Sequence, residues 1–165
     1  MARTLILTRH AKSSWDDPML PDHDRPLNGR GQRSARAIGT WMRDRGWLPD
    51  QAISSTSRRT RETFAGLALD LDASFTGDLY HASAGEMFET LRGAGGERVL
   101  MLGHNPGIGW FAERLLAVPP DHPRFADYPT CATLVARFPI QDWADLAWGT
   151  GKALDFVIPR DLPAA

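Results

Sequence analysis

The chain has 165 residues, a formal net charge of −1 and 42% hydrophobic residues. That composition fits one globular domain over 1–165, able to bury roughly two thirds of its unfolded surface without disulfide or metal staples. Balanced charge argues against a general nucleic-acid or membrane-surface binder, the lone Cys131 rules out an internal disulfide and a zinc-finger spacing, and no apolar run approaches the ~20 residues of a bilayer span.

Met1 to Thr4 lead straight into a strand rather than a signal peptide, which with the single cysteine fits a cytoplasmic setting. Thr4–Thr8 reads as a buried strand that ends on Arg9-His10-Ala11-Lys12. A polar loop from Ser13 to Pro26 follows, broken by three prolines. The spacing then predicts a helix from Gln32 to Arg45, with Asn28 to Gly31 as a turn before it and Gly46 as the stop. Gln51–Ser55 is a second strand, and Ser55 to Ser57 offer caps for a helix to Leu69. Phe75 and Leu79 mark a weak third strand. Ser83 and Glu86 form a capping-box pattern for a helix to Gly93. Arg98–Leu102 is a clear strand before Gly103-His104-Asn105-Pro106-Gly107, where Asn105 as cap and Pro106 at the first helical position open a helix to Leu116. After a proline-rich connection, Cys131–Phe138 and Lys152–Ile158 read as strands. Trp143–Gly149 has no clear pattern, and the tail from Asp161 to Ala165 reads as frayed.

Strands alternating with helices predict an α/β fold: a single domain with a mostly parallel sheet flanked by helices on both faces. Ligands of such sheets bind at the carboxyl ends of the strands. Three predicted strand ends carry polar cargo: Arg9-His10, Ser55 leading to Arg58-Arg59, and His104-Asn105. If these strands are neighbours, two imidazoles and two or three guanidiniums converge. Arginine's fork of donors suits phosphate oxygens, a neutral imidazole can attack phosphorus, and a protonated one can stabilise the charge that builds in transit. The residue types read as an anion site for metal-free phosphoryl transfer. The glycines of Asn28 to Gly31 lack the spacing of a nucleotide phosphate loop, no histidine pair has metal-ligand spacing, and His23 and His122 read as structural or solvated.

This pattern resembles the histidine phosphatase superfamily, with its phosphoglycerate-mutase-like fold. Arg9-His10-Ala11 is similar to the family's Arg-His-Gly. Ser55 to Thr63 resembles its second segment, and Gly103 to Gly107 its second-histidine motif. The start Leu-Thr-Arg-His-Ala-Lys-Ser-Ser-Trp most resembles the SixA-like phosphohistidine phosphatases. The resemblance implies that His10 is the nucleophile, that Arg9 and Arg59 bind the phosphoryl group, and that a protonated His104 completes the pocket. Arg59 follows from aligning Ser55 and Thr63, while a slip of one residue would select Arg58. Lys12, Ser13, His81 and Asn105 are candidates for the pocket lining, and no cofactor or metal is implied. The family's glycine after the nucleophile is Ala11 here.

Larger family members carry an acid that protonates the leaving oxygen. Asp78, His81 and Glu86 are the candidates, Glu86 also being explained by its capping box. An imidazole leaving group, of ordinary pKa about 6.5, needs that acid less than an alcohol does. The expected substrate is therefore phosphohistidine on a protein such as a histidine-phosphotransfer domain. A small phosphoester is the alternative, and a non-catalytic phospho-binding domain ranks third.

Overall fold

A computed structural model describes residues 2–163, so Ala164 and Ala165 of the expected frayed tail lie outside the described residues. The order is β1 (Arg3–Arg9), α1 (Gly29–Arg45), β2 (Gln51–Ser55), α2 (Arg58–Leu67), β3 (Ala73–Thr76), α3 (Ala84–Arg92), β4 (Arg98–Gly103), α4 (Gly107–Leu115), β5 (Thr133–Phe138) and β6 (Lys152–Val157). One sheet holds all six strands in the order β3-β2-β4-β1-β5-β6. The first four run parallel, β5 is antiparallel to β1, and β6 is antiparallel to β5.

The side-chain alternation of the strands divides the core into two. Leu5 and Leu7 of β1 and Val99 and Met101 of β4 face α3 and α4, packing with Met87, Leu91, Ile108 and Phe111. Ile6, Leu100 and Leu102 point the other way, onto Ala35, Ile38, Met42 and Leu67 of α1 and α2. Both faces of the central strands are covered, which is why β1 and β4 read as continuous apolar runs. Among the described residues no helix is long and apolar enough to cross a membrane.

Several boundaries differ from the sequence expectation. α1 begins at Gly29, three residues early, because the Asn28 side chain accepts the Gly31 N–H at 2.8 Å and outweighs the poor helix propensity of two glycines. Gly31 is required there: a Cβ would sit 2.1 Å from the Lys12 carbonyl oxygen. α2 stops at Leu67, with Ala68 left-handed. The weak third strand ends at Thr76, and Leu79 lies in a 3₁₀ turn. The capping box of Ser83 and Glu86 forms as expected.

Asn105 does not cap α4 from the expected place. The helix starts at Gly107, and the Asn105 amide accepts from Gly109 N–H at 3.1 Å while donating to the carbonyls of Asp127 and Tyr128. β5 starts at Thr133 because Cys131 is left-handed (φ 62°), its N–H donating to the His10 carbonyl at 2.9 Å. The region after Ile140 forms a 3₁₀ turn at Trp143–Asp145. The tail is ordered through another, Pro159–Asp161, where Asp161 Oδ2 is 2.9 Å from His122 Nε2 and accepts the Ile158 N–H, and Leu162 packs on the core. His122 is thus a structural tie, as its setting in the sequence indicated.

Candidate active site

β4 lies between β2 and β1, so the carboxyl ends of neighbouring strands deliver His10 and His104 to one cleft of about 280 Å³, while Ser55 at the end of β2 is buried against His104. The rings of His10 and His104 stand 5.3 Å apart, centroid to centroid. Arg9, Lys12, Ser13, Arg59, His81 and Asn105 also line the cleft. The pocket candidates Arg9, His10, Lys12, Ser13, Arg59, His81, His104 and Asn105 are therefore brought together. Arg58 is not: it faces solvent in an i, i+4 pair with Glu62 at 3.0 Å, whereas Arg59 is only 3% exposed.

The His10 ring is oriented by its own backbone. Nδ1 lies 2.7 Å from the Ala11 carbonyl oxygen, which can only accept, so Nδ1 carries the proton and Nε2 is left bare. Burial, opposed by that hydrogen bond and reinforced by Arg9, Arg59 and Arg25, lowers the His10 pKa to about 3. The imidazole is neutral across the physiological range. Ala11 is wholly buried against the α1 core, and its N–H donates to Thr63 Oγ at 2.9 Å. Alanine in place of glycine is accommodated, and Thr63, the last residue of the second motif, anchors the His10 end of β1 to α2.

His104 is also held neutral, against the expectation of a protonated ring. Its Nδ1 faces an Arg59 Nη2 donor at 3.3 Å, so Nδ1 accepts and Nε2–H donates to Ser55 Oγ at 2.8 Å. Burial, then the neighbouring His10, Arg59 and His81, push its pKa down to about 2. Two N–H groups in the first turn of α4 are already taken. Ile108 N–H donates to the His104 carbonyl and Gly109 N–H to Asn105.

Sequence reading missed Asp22, in the polar loop between β1 and α1. Its Oδ2 accepts from Arg59 (3.0 Å), Tyr80 hydroxyl (2.6 Å) and His81 Nε2 (3.1 Å), while Oδ1 accepts from Arg25. Partial burial pushes this carboxyl up, but the bonds from Tyr80, Arg59 and Arg25 outweigh it and hold Asp22 well below the usual carboxylate range. Arg25 in turn donates to Ser13 Oγ at 2.7 Å and stacks on Trp15, its guanidinium 3.6 Å from the ring centre. The loop carries no periodic pattern, and only the sequence positions of Asp22 and Arg25 among prolines could have hinted at them. Of the three proton-donor candidates, Glu86 is committed to its capping box and Asp78 lies outside the cleft, so only His81 reaches it.

An α/β sheet with paired imidazoles and buried guanidiniums at its carboxyl edge defines a phosphoryl-handling class, and comparison with known proteins agrees. Residues 5–88 match the histidine phosphatase superfamily, branch 1, and the chain belongs to that family and is a phosphatase. It is 33% identical over 159 residues to an uncharacterized protein of Mycobacterium tuberculosis, covering 92% of this chain and 99% of that one. Among solved structures, a protein assigned as the phosphohistidine phosphatase SixA of Nakamurella multipartitia superposes with a TM-score of 0.80 at 28% identity, over 96% of this chain and 97% of the other. A protein assigned as SixA of Agrobacterium tumefaciens gives 0.77 at 25%, over 95% and 98%.

Proposed function

We propose that the chain removes phosphate from phosphohistidine carried on a protein, through a phosphorylated His10. Nε2 of His10 attacks phosphorus in line with the departing imidazole, whose P–N bond breaks as the new one forms. Arg9 and Arg59 hold the equatorial oxygens. A phosphoryl dianion in the cleft favours the charged form of His104, which then donates to it. Water attacks phospho-His10, orthophosphate leaves, and the bare Nε2 is restored. Lys12, Ser13 and Asn105 shape the mouth, Ser13 by seating Arg25 and Asn105 by holding the loop before β5.

The observation that carries this reading is the acid inventory of the cleft. Its one carboxylate, Asp22, is held ionised by several donors, and Asp78 and Glu86 stand elsewhere. A site without a neutral carboxyl donor favours a leaving group as good as imidazole over an alkoxide. The two structural neighbours named above support the same substrate class.

The test is phosphate release from a phosphohistidine protein and from an aryl phosphate, side by side with chelator present. The expected result is preference for the phosphohistidine protein and loss of turnover in His10→Ala. Preference for the ester selects the second reading, a small-molecule phosphomonoesterase. The observation in its favour is His81, an exposed imidazole 3.1 Å from the Asp22 carboxylate and placed as a proton donor. Tight phosphopeptide binding without release selects a binding domain.

A further inference from the structure

A second cavity, about 370 Å³, opens beside the cleft and shares Arg9 and Lys12 with it. Its other cations are Arg30, Arg124 and Arg160, and its one carboxylate is Asp127. The topology gathers them. β5 is antiparallel to β1 and β6 is antiparallel to β5, so the start of β5 and the end of β6 reach the same edge of the sheet as Arg9. Arg160 follows β6 by three residues, Arg124 lies in the connection before β5, and Arg30 sits in the first turn of α1.

The charges in this groove are not balanced. Asp127 is taken by Arg124 at 2.8 Å. Among the described residues Lys12, Arg30 and Arg160 enter no ion pair. Arg9, which borders both cavities, has a buried Nε without a hydrogen-bond partner. A chain with net charge −1 has concentrated five cations against one neutralised acid next to its cleft. Like charges brought together repel, and the arrangement focuses positive potential on an incoming anion.

We propose that this groove is a second anion site, which binds a further phosphate or carboxylate of the same substrate while the scissile phosphoryl group sits between His10 and Arg59. The inference rests on the reading of the cleft as the phosphoryl site. It narrows the substrate to one that carries a second anionic group near the first: a protein with acidic residues beside its phosphohistidine, or a small molecule with two phosphates. Arginine forks at Arg30, Arg124 and Arg160 suit either.

Calorimetric titration of orthophosphate, pyrophosphate and tripolyphosphate tests it. Wild type should bind more tightly along the series, and the step should weaken with added salt. The double variant Arg30→Ala/Arg160→Ala alters two exposed side chains outside the catalytic set. It should bind tripolyphosphate about tenfold more weakly, the equivalent of two exposed charge contacts, while orthophosphate affinity and aryl-phosphate turnover stay within about twofold. Equal tripolyphosphate affinity in the two proteins, or a parallel loss for orthophosphate, overturns the site. Failure of the cleft reading looks different: orthophosphate does not bind and the aryl phosphate is not turned over.

A second arm identifies the source of the anion. The kcat/KM of wild type and variant is compared on a phosphohistidine protein with its flanking Asp and Glu intact or replaced by Asn and Gln. Sensitivity to those replacements in wild type alone assigns the groove to a protein substrate. No sensitivity, with the polyphosphate step intact, assigns it to a small polyanion.

Discussion

Arg58 and Arg59 are adjacent in sequence and opposite in circumstance. One helical step of about 100° sends Arg58 to solvent beside Glu62 and Arg59 into the cleft, where it donates to Asp22 and approaches His104. Arg59→Ala should lower kcat/KM by roughly 100- to 1,000-fold, the cost of removing one aimed donor from a transferring oxyanion. Arg58→Ala removes an exposed helix pair worth about 0.3–0.5 kcal/mol and should leave steady-state kinetics within about twofold. The reverse order would mean that the helix is rotated by one residue in solution. Asp22 acts through Arg59, whose Nη1 and Nη2 it fixes by carbonyl and carboxylate. Asp22→Asn should raise KM about tenfold, about 1.4 kcal/mol for a weakened charged hydrogen bond, with kcat less affected and little change in melting temperature. A lower KM would show that the carboxylate competes with the phosphoryl group for Arg59.

At the scale of elements, the first turn of α1 is pressed against the backbone two residues beyond His10. Asn28 N–H donates to the Lys12 carbonyl at 3.0 Å, and a side chain at Gly31 would meet that same oxygen. Gly31→Ala should therefore destabilise the fold by about 1–3 kcal/mol in urea denaturation, although alanine is the better helix former by ~1 kcal/mol. Gly85, within α3, is the contrast. A Cβ there meets nothing closer than 3.9 Å, so Gly85→Ala should stabilise by up to ~1 kcal/mol. If Gly31→Ala stabilises as Gly85→Ala does, the close approach of α1 to the loop after His10 is wrong. The helix starts were legible where a cap is local, as at Ser57 and Ser83. They differ at the starts of α1 and α4, where Gly31 and Gly107 are required by close contact with the distant carbonyls of Lys12 and Ala82 rather than chosen for propensity.

The whole molecule carries two imidazoles that stay neutral because it is folded. In the unfolded chain His10 and His104 take up protons below about pH 6.5, whereas in the folded chain burial delays uptake until about 3 and about 2. Below pH 6.5 the unfolded state binds more protons than the native one, so stability falls as pH falls through that window. Each group contributes a slope of at most ~1.4 kcal/mol per pH unit. Urea midpoints measured between pH 7 and pH 5 should drop for wild type and drop less for His10→Gln and His104→Gln. A flat profile in wild type would mean that the cleft admits enough water to charge the rings.

Local signals in the sequence determined the strands and most of the helices, and they brought forward most of the side chains that line the cleft. A buried two-sided strand must be a run of apolar residues, and a cap must stand next to what it caps. Arg9-His10, Ser55 to Thr63 and His104-Asn105 stood out because charged groups at the ends of apolar runs have few structural reasons to be there. Tertiary structure alone decided that β4 lies between β1 and β2, bringing the two imidazoles to 5.3 Å. It also decided that Asp22 closes on Arg59 from a loop 37 residues away, that His104 is neutral, and that the end of β6 brings Arg160 toward Arg9. Strand order, and the pKa of a buried group, depend on contacts between segments far apart in the chain, and no local pattern of residues encodes them.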